Sequence, residues 1–393
     1  MQAAGMMPPA ARLALVVATL GWLLAACQAP PPAAAPAGGA GAARVTSAAA
    51  TAAPTGTAHT PEVERLIAAA RAAGESELNL SWSNNTLGGS EAVGRWEALF
   101  NQLYGTHVRF TFTPGPSMTD MAGKIVQEAA AGRKASTDVL LGAESHYGPL
   151  VDLDALESYD YTALSPRIQP QFVAPRGIGV EFTSRLPGIT YNTTLVPPAD
   201  VPRKLTDTLD PRWKGKIAST LNAASFDRVA SRPEWGAEKM RAFVTQLSQN
   251  IAGLMRCGES TRIISGEFAM LVMDCGSYDA NRLRASGAPI GHVIPEDAAT
   301  VLFFYLGVPR TSAHPNLAKL YVNMLLTEEG QRLLYDVEWT DHYELPGSQS
   351  AAELSGLRAQ GIEPLRMDAR FVAEHPDSVK LGDEFAAILR RQQ

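Results

Sequence analysis

The sequence predicts an α/β protein of two lobes, each a mostly parallel sheet covered by helices. The lobes are joined by a two-segment hinge and preceded by a signal peptide and a disordered tether. Three observations predict the lobes. Strand-like and helical stretches alternate over residues 61–141, and the alternation recurs over residues 217–294. Two short strand-like runs, Gly188-Ile189-Thr190-Tyr191-Asn192 and Val301-Leu302-Phe303-Phe304-Tyr305-Leu306, stand where the chain would cross out and back. Such alternation argues for sheets with helices on their faces. With 393 residues, 46% hydrophobic and 19% charged, there is apolar material for two cores of ordinary size.

Residues 1–26 read as an export leader. Arg12 precedes an uncharged run over residues 13–26, shorter than the roughly 20 apolar residues a membrane span needs. The run ends in Leu24-Ala25-Ala26-Cys27, which resembles the lipobox of bacterial lipoproteins and implies cleavage before a lipidated Cys27. An ordinary secretory peptide or a retained anchor is the alternative. Residues 27–59 are almost wholly Ala, Pro, Gly, Thr and Ser, with Arg44 the one charged side chain and Val45 the one large aliphatic. Such a segment cannot offset its ordering entropy by burial and is expected to be a disordered tether.

The folded body opens with a helix at Pro61-Glu62-Val63-Glu64-Arg65-Leu66-Ile67, where proline and acids stand in the first turn and Gly74 stops it. Leu78-Asn79-Leu80-Ser81-Trp82 alternates as a strand, Trp96-Glu97-Ala98-Leu99-Phe100 has helical spacing, and Val108-Arg109-Phe110-Thr111-Phe112 is a second strand. A helix around residues 121–131 and a buried strand at Asp138-Val139-Leu140-Leu141 complete the first series. Residues 316–326 form an amphipathic helix, and a further helix is expected over 383–390. The first lobe is therefore assigned residues 60–187 and 300–393, with the tail beyond Pro346 packed on it, and the second lobe residues 188–299.

The charge balance, 34 basic against 40 acidic residues and a net −6 without any Lys/Arg run, argues against nucleic acid. No Gly-x-Ser-x-Gly, Gly-x-x-x-x-Gly-Lys or His-Glu-x-x-His motif occurs. The seven histidines are scattered, and no two share a helical face; they read as surface or capping residues. A secreted hydrolase using Glu144 or Asp274 remains the competing class, and a surface-anchored ligand sensor a third. Cys257 and Cys275 are an even remainder once Cys27 is set aside. A short helix from Glu259, the Ser265-Gly266 turn and a returning strand bring both to one end of a unit, so a disulfide is expected, free buried cysteines being the alternative.

Polar loops at the carboxyl ends of strands are where open α/β sheets bind ligands. Residues 81–85, 115–118, 142–146, 220–227 and 274–279 qualify. The candidate binding residues are Ser83, Asn84, Ser117, Glu144 and Ser145 from the first lobe, and Ser225, Asp227, Tyr278 and Asp279 from the second. Tyr191 is placed near the hinge. Hydroxyls, amides and backbone donors of this kind suit a small polar or anionic solute.

Three separated segments then carry a resemblance. Leu209-Asp210-Pro211-Arg212-Trp213-Lys214-Gly215-Lys216-Ile217-Ala218, Gly258-Glu259-Ser260 through Ser265-Gly266-Glu267-Phe268-Ala269-Met270, and His314-Pro315-Asn316-Leu317-Ala318-Lys319 with Leu325-Leu326-Thr327-Glu328-Glu329-Gly330-Gln331 occur in order. With Tyr191-Asn192-Thr193, they resemble the type II periplasmic solute-binding proteins of ABC importers, in the branch of ferric-iron, thiamine and phosphonate binders. The resemblance spans about residues 61–334. It implies a monomeric receptor rather than an enzyme, without cofactor, at the periplasmic or extracellular face and anchored to the membrane by lipid, with a permease and its ATPase as partners. Ferric binders of the branch use a histidine after the first strand, a glutamate after the third and two adjacent tyrosines. Glu144 and Tyr278 match, Asp279 stands for the second tyrosine, and the first loop has Asn84-Asn85 and no histidine. Iron held by Glu144, Tyr278 and Asp279, a phosphorylated or carboxylated solute, and a thiamine-like cation held by Trp82, Tyr278 and acids all stay open.

Overall fold

The first described helix has its limits written in its residues. In the computed structural model, which describes residues 59–391, α1 (Pro61–Ala73) starts at Thr60, whose hydroxyl accepts from the Val63 N–H, and ends at Gly74 with φ 68°. The expected leader, the lipidated Cys27 and all of the tether but His59 lie outside the described residues.

There follow β1 (Glu77–Trp82), α2 (Gly89–Tyr104), β2 (Arg109–Pro114), α3 (Met118–Ala130), β3 (Leu140–Ala143), α4 (Glu144–Leu150) and β4 (Val180–Arg185). The chain then crosses into a second set: β5 (Ile189–Asn192), β6 (Ile217–Thr220), α5 (Phe226–Ala230), α6 (Gly236–Asn250), β7 (Ile251–Met255), α7 (Thr261–Ile264), β8 (Met270–Val272), α8 (Tyr278–Ala285) and β9 (Ile290–Val293). It returns through β10 (Thr300–Gly307), α9 (Pro315–Leu326), α10 (Glu328–Glu338), α11 (Ala351–Ala359), β11 (Leu365–Arg366) and α12 (Ala369–Glu374), and closes with α13 (Asp377–Arg390). Among the described residues no helix is long and apolar enough to cross a membrane.

The sheets are mixed, where the sequence predicted mostly parallel ones. β1 pairs parallel with β2, but β10 runs antiparallel to both β3 and β4. In the second lobe the order is β7-β6-β8-β5-β9, with β6 parallel to its neighbours and β5 antiparallel to β8 and β9. The reason is the crossings. β5 and β10 are the strands by which the chain enters one lobe and re-enters the other; β10 runs against β3 and β4 laid down before it, and β5 against β8 and β9 that follow it. All eight residues of β10 are buried, as befits a strand covered on both faces.

Nor do β1 and β3 share a ladder. The Asp138 N–H donates to the Asn79 carbonyl at 2.7 Å, while the N–H groups of Asn79 and Ser81 donate to the Asp138 carboxylate (2.7 Å) and the Thr137 hydroxyl (3.1 Å). Side chains there take the acceptor role of a missing strand.

The first lobe has two apolar clusters on either face of β3, β4 and β10, one around Trp96, Phe100, Phe182 and α9, the other around Tyr147, Phe303 and Tyr305. The second lobe has its own, around Phe226, Phe243 and Met270 and around Phe268 and Ile290. The tail departs from expectation. α12 lies on α4 of the first lobe, and Gly148 lets them meet, since a Cβ there would stand 2.5 Å from Val372. But α13, longer than the helix expected over 383–390, lies on α5 and α6 of the second lobe. Its stripe of Phe385, Ala386 and Leu389 is buried in the second lobe's core, and that apolar face decides where it docks. The chain thus passes between the lobes three times: before β5, before β10, and between α12 and α13.

Cys257 and Cys275 are joined in a disulfide, with Cα atoms 5.7 Å apart. The bridge ties the loop after β7 to the loop after β8.

Candidate functional site

Glu144 is the first residue of α4, immediately after β3, and is completely buried. Its Oε1 accepts from the Arg228 Nε–H at 2.6 Å and from the Arg228 Nη2, and its Oε2 accepts from the Phe303 N–H at 3.1 Å. Arg228 belongs to α5 of the second lobe, is itself buried, and donates through Nη1 to Asp227 at 3.0 Å. A charge-assisted pair therefore spans the gap between the lobes. Burial pushes the Glu144 carboxyl above its ordinary value, and the charge of Arg228 works against that rise. The neighbouring His146 is held down to about 4 by burial, with Arg228 adding to the effect, so it stays neutral and Arg228 alone supplies the positive charge.

A second contact crosses nearby. Arg185, the last residue of β4, lays its guanidinium 4.1 Å from the ring centroid of Tyr278 at the start of α8, and donates to Glu338 of α10 at 2.9 Å. Gly276, with φ 117°, admits this approach: a Cβ there would lie 2.7 Å from the Arg185 Cβ. Ser277 donates to Glu353 of α11 at 2.7 Å.

The structure brings together some predicted residues and disperses others. Glu144, Asp227 and Tyr278 stand at the seam between the lobes, with half-buried Ser145 following Glu144 in the chain. Ser225 is buried with φ 66°, and its hydroxyl has no hydrogen-bond partner among the described residues. Asp279 is turned into the second lobe, where it accepts from Ser260 and from Arg282. Exposed Asn84 accepts from the Ser90 N–H and hydroxyl, Ser117 caps α3, and Ser83 is half-buried in the loop after β1. Tyr191 faces a different hollow, a groove of about 330 Å³ shared with Thr193, Val196, Pro198 and Val201. Trp82 is core, packed against Phe112 and Tyr321, and the ring of Tyr278 is covered by Arg185, so the pair proposed for a thiamine-like cation does not form. Glu144, Tyr278 and Asp279 have separate partners and do not converge as ligands, and among the described residues no group of three His, Cys, Asp or Glu side chains could hold a metal ion.

Residues 98–360 match the family described as bacterial extracellular solute-binding protein. The chain belongs to that family. It is 23% identical over 293 residues to the Fe(3+)-binding periplasmic protein of Serratia marcescens, covering 68% of this chain and 82% of that one. In fold it is similar to the crystal structure of iron-bound HitA from Pseudomonas aeruginosa (TM-score 0.62, 19% identity, 79% of this chain and 99% of that one). It is also similar to the periplasmic binding protein AfuA from Actinobacillus pleuropneumoniae with exogenous fructose-6-phosphate bound (TM-score 0.60, 19% identity, 81% and 97%). This solute-binding protein is thus of the type II periplasmic class that serves ABC importers.

The acids once weighed for hydrolysis are engaged elsewhere in this solute-binding protein. Asp274 accepts from the N–H groups of Gly188 (3.0 Å) and Gly276 (2.9 Å) and from the Thr190 hydroxyl (2.6 Å), so it braces the first crossing segment. Its Oδ2 also lies 3.1 Å from His292 Nε2, off the line of a good hydrogen bond, a contact that is an ion pair when the imidazole is protonated. Sequence reasoning missed this histidine, together with Arg185, Arg228 and Glu338. Only Arg228 carried a signal, as the neighbour of Asp227 in a loop already singled out.

The His292–Asp274 pair sets a pH dependence. Burial opposes charge on both groups, yet each partner outweighs it: Asp274 raises the pKa of His292, and His292 with Thr190 and Gly188 lowers that of Asp274. The histidine contribution is complete below its unfolded value, about 6.5, and is lost as pH rises through the raised folded value. The aspartate contribution is complete above its unfolded value, about 3.9, and is lost as pH falls through the lowered one. The pair is therefore expected to stabilise most between about pH 4 and 6.5. Melting curves across pH should show an alkaline decline that flattens in His292→Gln; an unchanged alkaline limb would remove this assignment.

Proposed function

We propose that the two lobes rotate about residues 185–192 and 295–305 and capture a small polar or anionic organic solute in the gap where Glu144, Arg228, Arg185 and Tyr278 meet. The closed form docks on a membrane permease driven by its ATPase. The observation that carries this reading is that buried charged side chains of both lobes meet across one seam, at the ends of β3, β4 and the loop after β6. The chain is read as a monomeric lipoprotein, held at the periplasmic or extracellular face by lipid on Cys27 after removal of residues 1–26, with residues 27–59 as the tether. The relatives support two solute classes, ferric iron from the Serratia protein's name and a sugar phosphate from the Actinobacillus structure. The dispersal of Glu144, Tyr278 and Asp279 favours the organic one.

The test is a thermal-shift panel of ferric salts, thiamine species, phosphonates, sugar phosphates and carboxylates, followed by native mass spectrometry. A true solute at a hundred times its dissociation constant stabilises by about 2.7 kcal/mol. Absence of any binder, or turnover of one, would refute the reading.

A further inference from the structure

We infer that Arg228 is the specificity-determining residue of this cleft: it occupies the place beside Glu144 that a cationic solute would need, and closes the lobes in that solute's stead. The inference rests on the proposed function and deepens it, naming the solute as one that brings no cation to Glu144.

Both oxygens of Glu144 are already engaged. Oε1 receives two donors of Arg228, and Oε2 receives the Phe303 N–H. The same guanidinium holds Asp227 through Nη1, so it lies between one carboxylate from each lobe. That is the arrangement a captured cation would produce, with the charge supplied by the chain. Glu144 is 0% and Arg228 8% exposed, which spares the attraction from screening by salt. The two groups that would complete a ligand set with Glu144 are engaged elsewhere, Tyr278 under Arg185 and Asp279 with Ser260 and Arg282.

The backbone reinforces the pairing. Glu144 opens α4, on which α12 lies, and Arg228 is in α5, on which α13 lies. Only His375 and Pro376 separate α12 from α13. The elements that carry the two charges are thus strapped together by continuous chain, and the ion pair acts over a span that the strap keeps short.

The experiment compares the full chain with Arg228→Lys, Arg228→Gln and the double variant Glu144→Gln/Arg228→Gln, by small-angle scattering without solute and by iron retained after ferric citrate and desalting. Circular dichroism checks that each variant is folded, and the double variant, which removes both members of the Glu144–Arg228 pair together, guards against a single variant that fails to fold with Glu144 left unpaired. The unsubstituted chain and Arg228→Lys are expected to share the smaller radius of gyration and to lose their iron. Arg228→Gln and the double variant should shift to a larger radius. One common radius for all four, or iron retained by the unsubstituted chain and lost in the double variant, overturns the inference. A solute panel without binders would defeat the proposed function while leaving the scattering comparison to judge Arg228; a solute that binds beside a flat scattering comparison would do the reverse.

Discussion

Replacing Glu181 by alanine should destabilise the protein by about 3–5 kcal/mol, toward the lower figure. Glu181 is fully buried in β4 and accepts from the Tyr305 hydroxyl at 2.7 Å and from Arg366 Nη2 at 2.6 Å to both oxygens, with His342 Nε2 3.2 Å away. Removing the carboxylate takes their shared acceptor from a guanidinium, a phenol and an imidazole, Arg366 keeping Glu344 at 3.1 Å. The cost is moderated because the Arg366 side chain keeps 25% of its surface exposed and can turn to water. Arg366 lies in β11, so the same substitution loosens the tail from β10. Urea unfolding of Glu181→Ala beside Glu181→Gln, which keeps the shape and an acceptor for Tyr305, should order the alanine variant well below the glutamine one. A loss under about 1 kcal/mol would show that the network is not what holds the tail.

Reduction of the Cys257–Cys275 bridge is the other large expected effect. The cysteines are 18 residues apart, and a cross-link closing a loop of that size stabilises by about 3 kcal/mol through the unfolded chain. Because Cys275 precedes Gly276 and Tyr278 in the loop that meets Arg185, the consequence should reach the seam as well as the melting temperature. Parallel melts with and without reductant, and of Cys257→Ser/Cys275→Ser, measure the first. Protease cleavage within residues 274–279 measures the second. Unaltered melting in reductant, with free thiols confirmed by labelling, would leave the bridge without stabilising weight.

Local signals carried much of the fold. Thr60, Pro61 and Gly74 bound α1 where capping chemistry places them, and the helix–turn–strand between the two cysteines delivered their proximity. What could not be read is nonlocal. Nothing in the sequence around Val301 or Ile189 announces that β10 and β5 run against their neighbours, since strand direction follows from where the chain last left a sheet. Phe385 and Leu389 reveal an apolar face but not which lobe receives it. In the candidate site, loop position and resemblance single out Glu144 and Tyr278. Their partners Arg228 and Arg185 are not singled out, because a long charged side chain is normally solvated and only a carboxylate or ring from a distant segment makes its burial tolerable. Asn84 and Ser117 accept from N–H groups in the first turns of the helices that follow them, a common use of such residues beside a helix start.

The three passages between lobes have a practical corollary. An odd number of passages leaves the two ends of the described chain on opposite bodies: α1 rests on α9 of the first, and α13 on α5 and α6 of the second. A donor fluorophore joined ahead of His59 and an acceptor joined behind Arg391 would therefore ride on separate bodies, and their energy transfer would report hinge motion without any label placed inside the molecule.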